Sequence, residues 1–256
     1  EKYEKYEKYE KYEKYEKYGK NMKKIIKKII KKLIRKTDWR IKKIYRNKSY
    51  TNSYPKLELL NAMHDCKGII HMGAHRGGEA AVYDWFNKQT IWIEANPKII
   101  DDLKDHTSQY INQKVIQALL SDEDNKLENF NISSNDGASS SIFSFGSYKK
   151  IHEKIKMTNV MKLKTSTLDT IIKKEQINVD KYNFWVVDLQ GAELLALKGA
   201  NEMIKSCKFM YIEISKEDIY KNGANWYELN DFLKKKNFIP VWEPEGIHTD
   251  VLYIKK

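Results

Sequence analysis

Cysteine is almost missing from this 256-residue chain, with Cys66 and Cys207 the two it has. Their spacing fits neither a disulfide framework nor a zinc site, so reduced thiols in a cytoplasmic setting are the expectation. Long apolar runs are missing too. No stretch approaches the roughly 20 residues of a membrane span, and no signal-peptide core is present. Acids are scarce in one place: residues 19–50 hold fourteen Lys or Arg and the single acid Asp38. That segment carries +13 of a net +12, which leaves −1 for residues 51–256. A nearly neutral remainder argues against a nucleic-acid groove spread over the body of the chain.

What is present divides near residue 54. Residues 1–18 are six copies of Glu-Lys-Tyr. A period of three matches neither helix nor strand and offers no apolar face. Each Glu does precede a Lys by four residues, so segment 1–21 reads as disorder or exposed helix. Met22 follows the repeat and is the expected native start. From Lys23, residues Ile25, Ile26, Ile29, Ile30, Leu33 and Ile34 fall on one helical face, with lysines on the other. Segment 22–53 is therefore a basic amphipathic helical segment. Residues 23–45 are expected to lie on an anionic membrane surface, with Trp39 and Tyr45 as interfacial anchors. Packing on the domain or a partner is the competing reading, and nucleic acid is a weaker third. The location that follows is cytoplasmic and peripheral, on the inner face of a membrane. Flotation with anionic vesicles, with and without residues 1–50, decides it.

Residues 54–256 alternate strands with helices, which predicts an α/β fold with a mainly parallel sheet. The expected strands are Gly68–Met72, Ile91–Glu94, Lys114–Leu119, Met161–Lys164, Phe184–Asp188, Phe209–Ile214, Phe238–Trp242 and Val251–Ile254. Helices are expected over Glu79–Asn87, Lys98–His106, from Leu168, Ala192–Lys205 and Trp226–Lys236. A hairpin-like stretch is expected around Leu127–Ile132, and the last two strands read as an antiparallel hairpin. Within this frame, I-I-H-M-G-A-H-R-G-G-E is a strand and glycine turn, and I-W-I-E-A-N-P is a strand ending on an acid. Glu94 lies 21 residues beyond Gly73, the spacing of a nucleotide pocket in which the acid receives ribose hydroxyls. A dinucleotide turn needs a second glycine two residues on, and Ala74-His75 stands there instead. That missing glycine disfavours a nicotinamide dehydrogenase and suits S-adenosylmethionine, which has no pyrophosphate. A second constellation, F-W-V-V-D-L-Q-G-A-E, puts Asp188 at a strand's carboxyl end and Glu193 at a helix start.

These stretches resemble the FkbM-type S-adenosylmethionine-dependent methyltransferases over roughly Ile69 to Ile254. The carriers are I-H-M-G-A-H-R-G-G-E, W-I-E-A-N-P, A-L-L-S-D, T-S-T-L-D-T-I-I and V-D-L-Q-G-A-E-L-L-A-L-K-G-A. The resemblance implies a Rossmann-like class I methyltransferase fold and methyl transfer to an oxygen of a sugar, glycan or related small molecule. It implies that His71 holds the methionine ammonium, where an acid is common, and that Gly73, Ala74, His75 and Gly77 hold the aminoacyl end. Glu94, with Ala95 and Asn96, would take the ribose, and Ser121 and Asp122 would lie near adenine. Asp188 would face the methyl group. For general base Asp188 ranks first and Glu193 second, with His75, His152 and His248 outside candidates. Gln190 stands where the family often has Glu, and no histidine spacing suggests a metal. The hydroxyl-rich loop 135–148 is a sugar-binding element, a lid or a plain surface loop. A different class of function is also open: a membrane-docked binding module with a degenerate, inactive pocket.

Overall fold

Residues Gly68–Met72 are buried without alternation, as a strand covered on both faces must be. In the computed structural model, which describes residues 56–148 and 152–256, this strand (β1) lies near the middle of a seven-stranded sheet. Along the chain follow β2 (Gln89–Glu94), β3 (Gln113–Gln117), β4 (Leu119–Leu120), β5 (Leu127–Ser133), β6 (Met157–Ser166) and β7 (Phe184–Val187). The last three are β8 (Phe209–Ser215), β9 (Phe238–Pro240) and β10 (His248–Lys255). The main sheet runs in the order β3-β2-β1-β7-β8-β10-β9, and β4-β6-β5 form a second, small sheet. In the main sheet every pair is parallel except those of β10, which is antiparallel to both neighbours. The expected closing hairpin is thus β9–β10.

Strand alternation sorts the apolar residues into two layers. Ile70, Met72, Ile91, Ile93, Trp185 and Val187 join one core cluster. Ile69, Trp92, Phe184 and Val186 join the other. Helices α1 (Leu57–Asp65), α2 (Ala80–Trp85) and α3 (Ile100–Thr107) cover the second face through Met63, Tyr83 and Leu103. Helices α4 (Leu168–Lys174), α5 (Glu193–Lys198) and α6 (Trp226–Lys235) cover the first through Leu168, Ala196 and Leu229. Local signals set the helix starts. Thr167 caps α4 by accepting from Thr170 N–H, and Asn225 and Glu228 form a reciprocal capping box at α6.

Three sequence expectations change. The strand expected over Lys114–Leu119 breaks after Gln117, and the chain turns into the second sheet at Leu119. The helix expected over Ala192–Lys205 stops at Lys198, followed by Gly199 and a 3-10 turn at Met203–Lys205. A Cβ at Gly199 would overlap the Ser121 carbonyl oxygen, so the helix ends where the second sheet abuts it. The stretch Leu127–Ile132 is no tight hairpin, because β5 pairs antiparallel with β6 only after a long connection. Helix α1 was not foreseen. The Glu-Lys-Tyr repeat, the basic amphipathic segment and its membrane contact lie outside the described residues. No helix among the described residues is long and apolar enough to cross a membrane.

Candidate functional site

Strands β1, β2 and β3 step one way along the sheet, and β7 begins on the other side of β1. At such a reversal the connections leave on opposite sides and open a crevice at the strands' carboxyl ends. Gly73 lies in that crevice at φ +85°, and a Cβ there would overlap the Asp188 carbonyl oxygen. Only glycine lets the turn after β1 close against the end of β7. The turn is held by N–H groups of Gly73 and Ala74 donating to the Ile93 carbonyl at 2.9 and 3.0 Å. Gly77, at φ +68°, seats the turn against Leu103 and Thr107 of α3.

Glu94 ends β2 beside this turn and is 8% exposed. Its two oxygens accept from different segments: Oε2 from His75 N–H and Oε1 from Asn96 N–H, both at 2.7 Å. Burial pushes its carboxyl up to about 7, against the opposing pull of the Asn96, His75 and Ala95 N–H groups. A strap of chain, residues 133–148, lies over the turn. His75 Nε2 bonds the Asp136 carbonyl at 2.9 Å, and Arg76 pairs with Asp136 and with Asp102. Gly137, at φ +82°, passes so close to Asn96 Nδ2 that a Cβ would crowd it. The strap's hydroxyls are largely spent on itself: Ser133 Oγ donates to Asn135 Oδ1, and Ser139 Oγ bonds Tyr148 Oη.

Beyond β7 and β8 lies an acidic cluster. Gln190 Nε2 donates to Asp188 Oδ1 and, at 2.7 Å, to Glu213 Oε2, while the Tyr220 hydroxyl donates to Gln190 Oε1 at 2.5 Å. Two carboxylates on one side of the amide require its NH2 to face them. The other oxygen of Glu213 lies 3.2 Å from His248 Nε2, and His248 Nδ1 lies 2.7 Å from Ser215 Oγ. Burial and then the charge of Asp188 hold the Glu213 carboxyl well above the usual carboxylate range. An open cleft lined by Glu193, Glu213, Ser215, Glu217, Tyr220 and His248 leads into this cluster.

The structure brings Gly73, Ala74, His75, Gly77, Glu94, Ala95, Asn96 and Asp188 together at the crevice. It places three other expected residues elsewhere. His71 has the strand parity of Ile69, so its ring points into the α2 layer, stacked on Trp92 at 5.0 Å with Nδ1 3.1 Å from Tyr83 Oη. At 3% exposure it is a core residue, and the ammonium-holding role expected for it is withdrawn. Ser121 and Asp122 follow β4 into the second sheet, where Ser121 N–H donates to Ser166 and its carbonyl abuts Gly199. The chain leaves the main sheet after Ala118, whose N–H donates to the Glu94 carbonyl, and carries them into the second sheet. Glu193 is 3% exposed, and its Oε1 accepts from the N–H groups of Leu189 and Gly191. Burial pushes its carboxyl up to about 7. Sequence reasoning missed Glu213 and Tyr220. The signal for Glu213 was available: an acid on the alternating strand F-M-Y-I-E-I-S, near its carboxyl end. Among the described residues no cluster of His, Cys, Asp or Glu is arranged to hold a metal ion.

A family model described as the methyltransferase FkbM domain matches residues 71–240, well over half of the chain. Solved structures with similar folds include a TehB-like SAM-dependent methyltransferase from Corynebacterium glutamicum, at 11% identity and TM-score 0.42, covering 85% of this chain and 94% of that one. Another is a SAM-dependent methyltransferase from Aquifex aeolicus, at 10% identity and TM-score 0.44, covering 83% and 95%. A third is magnesium protoporphyrin IX methyltransferase from Synechocystis PCC 6803 with bound SAH, at 5% identity and TM-score 0.44, covering 78% of each chain. No curated protein matches the chain.

Proposed function

We propose that this chain, which belongs to the methyltransferase FkbM domain family, transfers the methyl group of S-adenosylmethionine to a hydroxyl oxygen of a small molecule or glycan. Its fold is the Rossmann-like class I methyltransferase fold. The observation that carries the reading is the closure of the Gly73 turn on Asp188 beside the buried, N–H-held carboxyl of Glu94. The residues fit the cofactor. Gly73 carries no side chain where backbone must approach a ligand, and with three N–H groups on about four acceptor sites the Glu94 carboxylate keeps a lone pair for a ribose hydroxyl. Gly73, Ala74, His75 and Gly77 would then hold the aminoacyl end, and Glu94, Ala95 and Asn96 the ribose. When bound, the sulfonium supplies an already activated methyl group.

The chain's own task is to align an acceptor and receive its proton. Asp188, at the end of β7 with Oδ1 held by Gln190, would fix the methyl region. Glu193 is given over to the turn after β7, through Leu189 and Gly191. A hydroxyl-bearing acceptor suits the cleft, whose polar lining side chains are hydroxyl, carboxyl and imidazole groups beside Ile219 and Ala224. The balance of −1 over residues 51–256 disfavours a nucleic-acid acceptor. Calorimetry with S-adenosylmethionine, followed by incubation of the full chain with methyl-labelled donor and a panel of methyl glycosides and simple polyols, tests the reading. Binding together with label in at least one hydroxyl probe is expected. Absence of cofactor binding would sink the enzyme, and binding with label only on nitrogen or sulfur would sink O-methylation.

A further inference from the structure

Glu213 and Ser215 are two residues apart on β8 and so share a face, and His248 on β10 is the register partner of Ser215. Antiparallel pairing therefore sets three side chains in a row at the cleft. Glu213 Oε1 lies 3.2 Å from His248 Nε2, and His248 Nδ1 lies 2.7 Å from Ser215 Oγ. Once ionised, Glu213 accepts and does not donate, so it then selects the tautomer with the proton on Nε2. That leaves Nδ1 as the basic nitrogen, with the Ser215 hydroxyl donating to it. Ser215 and His248 line the open cleft, whereas Asp188 and the second oxygen of Glu213 are tied to the Gln190 amide.

We propose that Ser215, His248 and Glu213 form the proton-accepting array for the acceptor hydroxyl. The inference rests on the O-methylation reading above and goes beyond it by naming the base. As the acceptor oxygen bonds to the methyl carbon, the carbon–sulfur electron pair stays on sulfur. The acceptor's proton passes to Ser215 Oγ while the Ser215 proton moves to His248 Nδ1. The resulting imidazolium is paired with Glu213 and returns its proton to water through the open cleft. Ser215 touches the acceptor and His248 is the proton's terminus, while Glu213 is a positioning residue.

Acidic side chains surround the array. Glu213 feels Asp188 at the end of β7, Glu193 on α5 and Asp250 on β10. Glu217 and Tyr220, from the segment after β8, also line the cleft. The nearest lysine in sequence, Lys216, is turned away, with Nζ on the Pro244 carbonyl.

Two measurements test the array. The first needs no turnover: nitrogen-15 NMR of histidine-labelled full chain saturated with S-adenosylhomocysteine. Above the raised titration of Glu213, His248 is expected as the Nε2-protonated tautomer, and an Nδ1-protonated ring there overturns the array. The second uses methyl-labelled donor with the same methyl glycosides and polyols. His248→Ala is expected to lower kcat by ~100-fold, with donor Kd within about twofold of wild type and partial rescue by added imidazole. Glu213→Gln should lower kcat by about tenfold and move the acidic limb of the pH–rate profile to lower pH. A structural residue would not move that limb. Wild-type turnover matched by His248→Ala overturns the array and leaves O-methylation standing. A wild-type chain that binds the donor but labels none of the hydroxyl probes overturns both. Should the variants fail to fold, the wild-type tautomer decides.

Discussion

At Glu94, burial and hydrogen bonding pull one carboxyl in opposite directions. Burial wins and raises it to about 7, although three backbone N–H groups favour the anion. This balance gives a test of the ribose assignment. Ribose hydroxyls donating to the carboxylate stabilise the charged form, so the complex has a lower carboxyl pKa than the free protein. Binding then requires proton release below about 7. Donor affinity measured by calorimetry should fall as pH drops from 8 to 6, approaching about tenfold per pH unit at the acid end. Glu94→Gln should bind more weakly at pH 8 and show a flatter profile. A wild-type profile as flat as that of Glu94→Gln would remove Glu94 from the ribose. Gly73 and Glu94 were legible in the sequence because a turn glycine and a strand-ending acid are local signals. His71 was misplaced because its spacing from Gly73 outweighed its parity with Ile69. Glu213 went unread because a burial-worthy acid looks like any alternating polar residue until β10 is placed opposite.

Among the elements, the strap over the glycine turn was the least legible. Its hydroxyls and aromatics are plain in the sequence, but the partners of Arg76 are Asp102 and Asp136, 26 and 60 residues away. Nothing local announces such a contact. Inside the strap, Phe145 and Tyr148 stack at 4.4 Å and pack with Ile219 and Tyr220, which anchors its far end to the segment after β8. The near end depends on Arg76, whose side chain is 28% exposed and whose two partners are more exposed still. Exposed pairs of this kind contribute roughly 0.5–1 kcal/mol. Arg76→Ala should therefore leave the fold intact and loosen the strap at its near end. Stopped-flow measurement of S-adenosylhomocysteine release should show a rate about two- to fivefold faster, the equivalent of that energy. High salt should narrow the difference between variant and wild type. Release at the wild-type rate in low salt would mean that the strap does not gate the cofactor.

For the molecule as a whole, the alternation of strands and helices was readable, and so was the closing hairpin. The second sheet was not, because β4 and β6 pair across more than forty residues of chain and neither strand carries a distinctive pattern. The same assembly buries Glu94 and Glu193 and largely covers Glu213 at the carboxyl ends of the main sheet's strands. Burial lifts Glu94 and Glu193 from 4.5 to about 7. Glu213 is raised too, by burial and then by Asp188. Each folded-state carboxyl then binds its proton more tightly than the unfolded chain does. Between about pH 4.5 and 7 the folded state holds more protons, so this contribution to stability falls as pH rises through that window. Each proton so held is worth ~1.4 kcal/mol for every pH unit crossed, and Glu94 and Glu193 each account for a change on the order of 3 kcal/mol. The acids Asp124, Glu175 and Glu202 are shifted downward by hydrogen-bond partners, so their opposing effect lies at lower pH. The urea midpoint of the full chain should accordingly be higher at pH 5 than at pH 7.5. Glu193→Gln keeps an acceptor for the Leu189 and Gly191 N–H groups and removes one titrating carboxyl, so it should flatten the dependence by about a third to a half. A midpoint that climbs steadily from pH 5 to 7.5 would show that these carboxyls are charged at little expense, and that the crevice is wetter than its burial implies.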